Sequence, residues 1–239
     1  MRRNKFLFWF CPVIIMGIFI LFTSSCKKDK DEDEDDTQVT APATVNDVDG
    51  NVYHTVVIGT QAWLVENLHV THYRNGDAIA NVSDNTQWSN LTSGAYCCYN
   101  NSAPTATMYG YLYNWSAASD SRNIAPTGWH VATDADWTTL ISYLGGESAA
   151  GGCLKETGTT HWVTPNTGAS NSSGFTAIPG GDRLPTGGFD LITNYGCWWS
   201  TTASDASNAW GVNLYYGNAN TVHGTYNKKC GMSIRCVMD

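Results

Sequence analysis

Read by the spacing of its apolar positions, the 239-residue chain divides near residue 45. Before that point, Phe6 to Phe22 is an apolar run broken only by Pro12 and Gly17. Beyond it, short alternating segments predominate. Val52 to Ile58 is β-branched and alternating, Gly59-Thr60 signals a turn, and Gln61 to Val65 returns. With Asp49-Gly50 as an earlier tight turn, 45–68 is predicted to be an opening strand pair. Tyr109, Leu112, Tyr113 and Trp115 fall at helical spacing and predict a short helix over 108–118. The clearest helical stripe is Trp137, Leu140, Ile141 and Leu144. Thr133 stands at its N-cap with Asp136 at the capping-box position, Asp134 complements the helix dipole, and Gly145-Gly146 ends the run. A weaker helical turn is expected over 148–155. After Gly174, the segments 175–178, 196–202, 208–216, 221–226 and 232–237 read as strands. Short helices followed by antiparallel strands form an α+β pattern, in which the first and last strands are expected to meet in one sheet.

Alternation in Asn208 to Tyr216 separates two faces. Trp210, Val212, Leu214 and Tyr216 read as core; Ala209, Gly211, Asn213 and Tyr215 read as surface. In the next strand, Thr221, His223 and Thr225 lie opposite Val222, Gly224 and Tyr226. Small, polar and aromatic residues on an exposed sheet make an adaptable recognition surface. The expected ligand contacts are Trp199, Gly211, Asn213, Tyr215, His223 and Thr225. One of Trp198 and Trp199 should be buried and the other available, with the loop 180–194 the next place to look.

The N-terminus changes where this domain is expected to work. Arg2, Arg3 and Lys5 precede the apolar run, and Thr23-Ser24-Ser25 precedes Cys26, the order of a secretory signal peptide over 1–25. An uncleaved membrane anchor is the alternative. The segment resembles a bacterial lipoprotein signal, which implies lipidation of Cys26 and membrane attachment through that lipid, although Thr23 replaces the usual leucine. Lys27, Lys28 and Lys30 lead into the acidic run Asp31 to Asp36, and 26–44 is expected to be a disordered linker. The run is similar to the address that sends Bacteroidetes lipoproteins to the outer face of the outer membrane. The domain, 45–239, has seven Lys or Arg against fourteen Asp or Glu, a net charge of −7. That acidity and the lack of a basic stripe argue against nucleic acid. The domain's six cysteines, Cys97, Cys98, Cys153, Cys197, Cys230 and Cys236, show no C-x-x-C zinc spacing.

No catalytic residues, metal site or cofactor are expected. Glu66, His69 and His72 read as solvated groups rather than a metal cluster, and His130 as a hydrogen-bonded histidine. Asp134, Asp136 and Asp182 read as isolated acids in capping or surface roles. No nucleophile elbow or phosphate loop occurs.

Several motifs in order carry a resemblance across 46–239: Asp49-Gly50-Asn51-Val52-Tyr53, Gly59-Thr60-Gln61-Ala62-Trp63, Glu66-Asn67-Leu68, Leu112-Tyr113-Asn114-Trp115, Pro126-Thr127-Gly128-Trp129-His130-Val131, Gly174-Phe175-Thr176-Ala177, Trp198-Trp199-Ser200-Thr201-Thr202 and Gly231-Met232-Ser233-Ile234-Arg235-Cys236-Val237. This set resembles the Fibrobacter succinogenes major paralogous domain family. The resemblance implies a C-type-lectin-like fold in the branch related to formylglycine-generating enzymes, a fold that hosts unrelated functions. It supplies no catalytic residues. Ala125 stands where relatives tend to have cysteine, so a bridge from that position to Cys236 cannot form. Further departures fall at Cys197, Gly211, Asn213, Gly224, Thr225 and Cys230. In this fold class some C-terminal strands are rewritten by diversity-generating retroelements. The function expected is surface recognition of an unknown protein or glycan ligand; the alternatives are a structural component of a surface complex or a relative of the formylglycine-generating enzymes.

Overall fold

A computed structural model describes residues 39–239; the expected signal segment, Cys26 and the acidic run lie outside them. The N-terminal part runs β1 (Thr44–Asn46), β2 (Val52–Ile58), β3 (Gln61–Leu64), β4 (Ala80–Asn81), α1 (Asn85–Ser89), β5 (Ala95–Cys97), α2 (Ala103–Tyr109), β6 (Leu112–Asn114), α3 (Trp115–Ala118) and β7 (Trp129–Val131). Then follow α4 (Asp134–Tyr143), α5 (Glu147–Leu154), β8 (Asp182–Arg183), β9 (Phe189–Asp190), β10 (Tyr195–Ala203), β11 (Asn208–Tyr215), β12 (Thr221–Asn227), β13 (Gly231–Met232) and β14 (Cys236–Met238). The result is α+β, and besides the expected opening and C-terminal strands the short strands β4 to β7 lie between residues 80 and 131. Val39 and Ala41, at the end of the segment expected to be a linker, already pack against the core.

Among the described residues, the strands form three sheets ordered β1-β2-β3-β14-β7, β4-β5-β6-β13-β8-β9 and β10-β11-β12. The first and last strands do meet: Val237 of β14 pairs with Trp63 of β3. The expected helix α4 is present with its capping box, in which the Thr133 hydroxyl accepts from the Asp136 amide and the Asp136 carboxylate accepts from the Thr133 amide. Trp137, Leu140, Ile141 and Leu144 are buried.

Three expected elements differ. The helix predicted over 108–118 is split by β6, because Gly110 adopts φ 77° where a Cβ would lie 2.9 Å from Asn67, and Asn114 restarts a helix by capping α3 through the Ala117 amide. The strand at 175–178 is reduced to a single bridge between Lys155 and Ala177, with Thr176 at φ 53°. The last strand is broken into β13 and β14. Between them Ser233 bonds β10 on both sides of its peptide and Arg235 turns inward.

Two apolar clusters lie on opposite faces of β10 and β11. One packs Trp198, Val212 and Leu214 against Trp63, Trp137, Phe175 and α5; Trp63 and Trp137 lie 4.9 Å apart and Trp137 and Trp198 6.4 Å. The other holds Cys197, Trp199, Ala209, Met232 and Ile234. Three fully buried cations tie the loops to this core. Arg235 donates to Leu64 O, Phe175 O, Thr176 O and Asn67 Oδ1 at 2.7–3.1 Å. Arg183 serves Val82 O, Ser83 O, Gly187 O and Asn85 Oδ1, and Lys155 serves Thr167 O, Tyr215 O and Asn218 O. Burying a charge is costly unless its donors are all used, and here carbonyl oxygens do that work. Burial pushes Lys155 down to about 8, and for Arg235 it outweighs the opposing charges of Glu66 and Cys236 to bring the guanidinium down to about 9.

Candidate functional site on the C-terminal sheet

The β10-β11-β12 sheet is antiparallel, with a register shift in β10–β11 between Trp199 and Ala203, and directly opposed residues share a face. Trp198, Val212 and His223 line up across the three strands on the face toward α4 and α5. Cys197, Asn213 and Val222 line up on the other, with Tyr195 opposite Tyr215 at its end and Trp199, Gly211 and Gly224 at its middle.

This register divides the six residues expected to contact a ligand. Asn213 and Tyr215 do share a face, and both are partly exposed. His223 and Thr225 lie on the opposite face, so no single surface holds all six. Trp199 is fully buried, as is Trp198: the two alternate, but each face is covered. The Trp199 indole donates to Tyr113 O at 2.9 Å, while Trp198 donates to Asn67 Oδ1 at 2.8 Å. Gly211 is buried beneath the Tyr226 ring and Met232, where a Cβ would lie 3.1 and 3.3 Å from them and 2.8 Å from Trp198 O. Ala209 is buried and Trp210 half-exposed, the reverse of the expected assignment.

What remains open is the end of the second face. Tyr195 and Tyr215 lie 4.7 Å apart at 31°, and Tyr216 meets Tyr215 edge-on at 4.5 Å. Gly217 makes room for the Tyr215 ring, since a Cβ there would stand 2.5 Å from it. On the same face, two residues before Tyr215, Asn213 Oδ1 is buried without a hydrogen-bond partner, and Asp182 Oδ1 is likewise unpartnered. Asp182 enters from β8: Gly181 bridges Gly196 of β10 and its amide donates to Tyr195 O at 3.0 Å. Burial and the facing Asp190 push the Asp182 carboxyl up to about 6. Its charge in turn reaches Cys197, Tyr226 and Cys230, whose protons are already held by burial. Asp182 is thus not the isolated surface acid expected. Tyr195, Tyr216 and Asp190 also belong to the site and were not singled out, although the loop 180–194 that supplies the two acids was the alternative location.

Elsewhere Tyr73 Oη and Asn166 Oδ1 are also buried without partners, whereas the histidine and carboxylate groupings are paired internally. His223 pairs with Asp134 at 2.6 Å beneath the half-exposed Trp210, whose ring lies 5.2 Å away. A shallow cleft of about 230 Å3 is lined by Ser119, Asp120, Asn123, His130, Thr133 and Thr201. His130 there is held between Asp136 at 3.0 Å and Asp239 at 2.8 Å, and the Asp136 bond raises its pKa. Glu66, His69 and His72 do not converge: Glu66 bonds His54 and His72 bonds Asp49. Cys97, Cys98, Cys197, Cys230 and Cys236 are free thiols.

Together these features define a mixed α+β domain of mostly antiparallel curled sheets, with partly exposed tyrosines and two facing acids as a candidate site on its C-terminal half. The sequence model of the Fibrobacter succinogenes major domain matches residues 56–238, and the chain belongs to that family. No curated protein and no solved structure matches it.

Proposed function

We propose that this chain is an exported recognition protein, lipid-anchored at Cys26, whose domain binds a protein or glycan ligand through the Tyr195–Tyr215 end of its C-terminal sheet. One observation carries the reading: Asp182 Oδ1 and Asn213 Oδ1 are buried without partners, Asn213 on the sheet face that carries the paired, partly exposed Tyr195 and Tyr215 and Asp182 within electrostatic reach of Cys197 and Tyr226 on that face. Folded proteins pair the great majority of their buried polar atoms. Unpaired acceptors next to open aromatic faces are what a ligand bringing donors would complete. The anchor rests on the order of charged, apolar and small residues ending at Cys26, and the surface location on the Lys-then-acidic run after it. Among the described residues no helix is long and apolar enough to cross a membrane.

The test is binding of the full chain to cells and to immobilised glycans. The double variant Asn213→Ala/Tyr215→Ala should lose binding while its melting temperature hardly moves. Full binding by a well-folded double variant would remove the site from this face. For the anchor, mass spectrometry of the native N-terminus should find a lipidated Cys26. An unmodified chain retaining Phe6 to Phe22 would refute it. Replacing residues 27–36 with Gly and Ser should protect the protein from external protease on intact cells.

A further inference from the structure

The open end of the sheet offers acceptors and negative charge with nothing to balance them. Asp182 and Asp190 are directly opposed in the β8–β9 pair, and like charges in that position repel. The neighbouring cation, Arg183, points the other way, stacked 4.3 Å over Trp88 with its donors committed to backbone carbonyls and Asn85. Among the described residues no ion pair reaches Asp182 or Asp190. Of the four buried unpartnered polar atoms among the described residues, the two at this end of the sheet, Asp182 Oδ1 and Asn213 Oδ1, are both acceptors.

These facts discriminate among ligand chemistries. A sugar hydroxyl brings an acceptor with every donor and would need donors from the site in return. An ammonium or guanidinium group brings donors only. A metal ion would need several converging oxygen, nitrogen or sulfur ligands, and among the described residues no three His, Cys, Asp or Glu side chains converge. Tyrosine faces, by contrast, attract organic cations through their ring quadrupoles, and the domain's net charge of −7 draws cations from a distance. We propose that the Tyr195, Tyr215, Asn213 and Asp182 cluster binds an organic ammonium or guanidinium group, with Asp182 and Asp190 as its counter-charges. The inference rests on the reading of this face as the recognition surface and names what that surface recognises.

Calorimetric titration of the full chain at neutral pH and low salt tests it with three probes: a lysine- and arginine-rich peptide, spermidine, and a neutral N-acetylglucosamine oligomer. The cationic probes should bind and the neutral one should not. Binding of the peptide alone points to a protein-borne side chain, and binding of spermidine as well to a free amine; either supports the inference. Affinity should fall about tenfold or more in Asp182→Asn and in Tyr215→Ala, and should weaken on acidification through the Asp182 titration. Asp190→Asn, at an exposed position, should show a smaller loss and guards against a folding defect at Asp182. Unchanged peptide affinity in a folded Asp182→Asn variant overturns the inference. So does binding of the neutral oligomer alone; if that binding is lost in Tyr215→Ala, the recognition reading survives without the cation. If no probe binds, the cation reading fails, and the cell-binding comparison of wild type with Asn213→Ala/Tyr215→Ala decides the fate of the recognition reading separately.

Discussion

The two faces of the β10-β11-β12 sheet are built from the same strands and treat their polar atoms in opposite ways. Toward α4 and α5 the polar groups are matched: Trp198 donates to Asn67, Trp137 donates to Trp199 O at 3.2 Å, Trp162 donates to Ala177 O at 2.9 Å, and His223 pairs with Asp134. On the other face the packed middle, around Trp199 and Gly211, gives way within two residues to Asn213 and Tyr215, where acceptors go unpaired and rings meet solvent. Burial without partners costs stability, so the second arrangement is not what folding alone would choose. The difference separates residues that hold the sheet from residues the sheet holds out.

The largest effect should come from the matched face. Trp198→Ala removes a fully buried ring from the cluster of Trp137 and Phe175 and should cost about 3–5 kcal/mol in urea unfolding. A loss as small as that of a surface substitution would mean this face is not the structural one. Next comes the packed middle of the other face. Gly211→Ala places a methyl against Trp198 O and the Tyr226 ring, and overpacking of this kind should cost about 1–3 kcal/mol. Thermal denaturation of the purified variant measures it. An unchanged melting temperature would show that Tyr226 swings away and that the open region reaches further along the strand.

Which parts of this division were legible beforehand follows from the range of the signals. The capping box at Thr133 and Asp136 is local, and it was read correctly because every atom involved lies within four residues. The closure of the domain by β3 and β14 was also expected, since both ends of the chain carry strand patterns. Alternation in β11 correctly placed Asn213 with Tyr215, but it could not say whether a face is covered. The cover over Gly211 comes from Tyr226 and Met232, which follow it in sequence and reach it only through the β12 turn-back. His223 was placed with Asn213 because the register of β12 against β11 is not written in either strand alone. Asp182 was misjudged for a simpler reason: its partner Asp190 faces it only once the turn at Leu184–Gly188 closes, and reading Gly187-Gly188 as a hairpin signal would have brought the two acids together.

The pH dependence sharpens the same contrast because the acids on the two sides shift in opposite directions. At the helix end, burial opposes ionisation of Asp136, but bonds from His130 and Thr133 win and hold it at about 2. Its stabilisation is present above its unfolded value of 3.8 and is lost as pH falls through 2. On the open side, the raised Asp182 contributes stability that is present below 3.8 and is lost as pH rises through about 6. Asp182→Asn should therefore stabilise the protein at neutral pH by about 1 kcal/mol after solvent screening, with the gain vanishing below pH 3.8. Unfolding curves at the two extremes compare the variants directly. A gain that persists in acid would place its origin in packing rather than charge.

The smallest effect on stability, and the most informative one, belongs to Asn213. Its Oδ1 is buried and bonded to nothing, so truncation removes an acceptor whose burial already costs about 1–3 kcal/mol. Against that stands the loss of a few side-chain contacts opposite Cys197 and Val222. The two terms oppose each other, and Asn213→Ala should leave the melting temperature unchanged or slightly higher. If the amide exists to fold the protein, the same substitution should instead lower stability in proportion to the contacts removed. Differential scanning calorimetry of Asn213→Ala beside Tyr215→Ala resolves the two cases. A clear loss of stability in Asn213→Ala would mean that the acceptor is satisfied in solution, and it would return this end of the sheet to the structural half of the comparison.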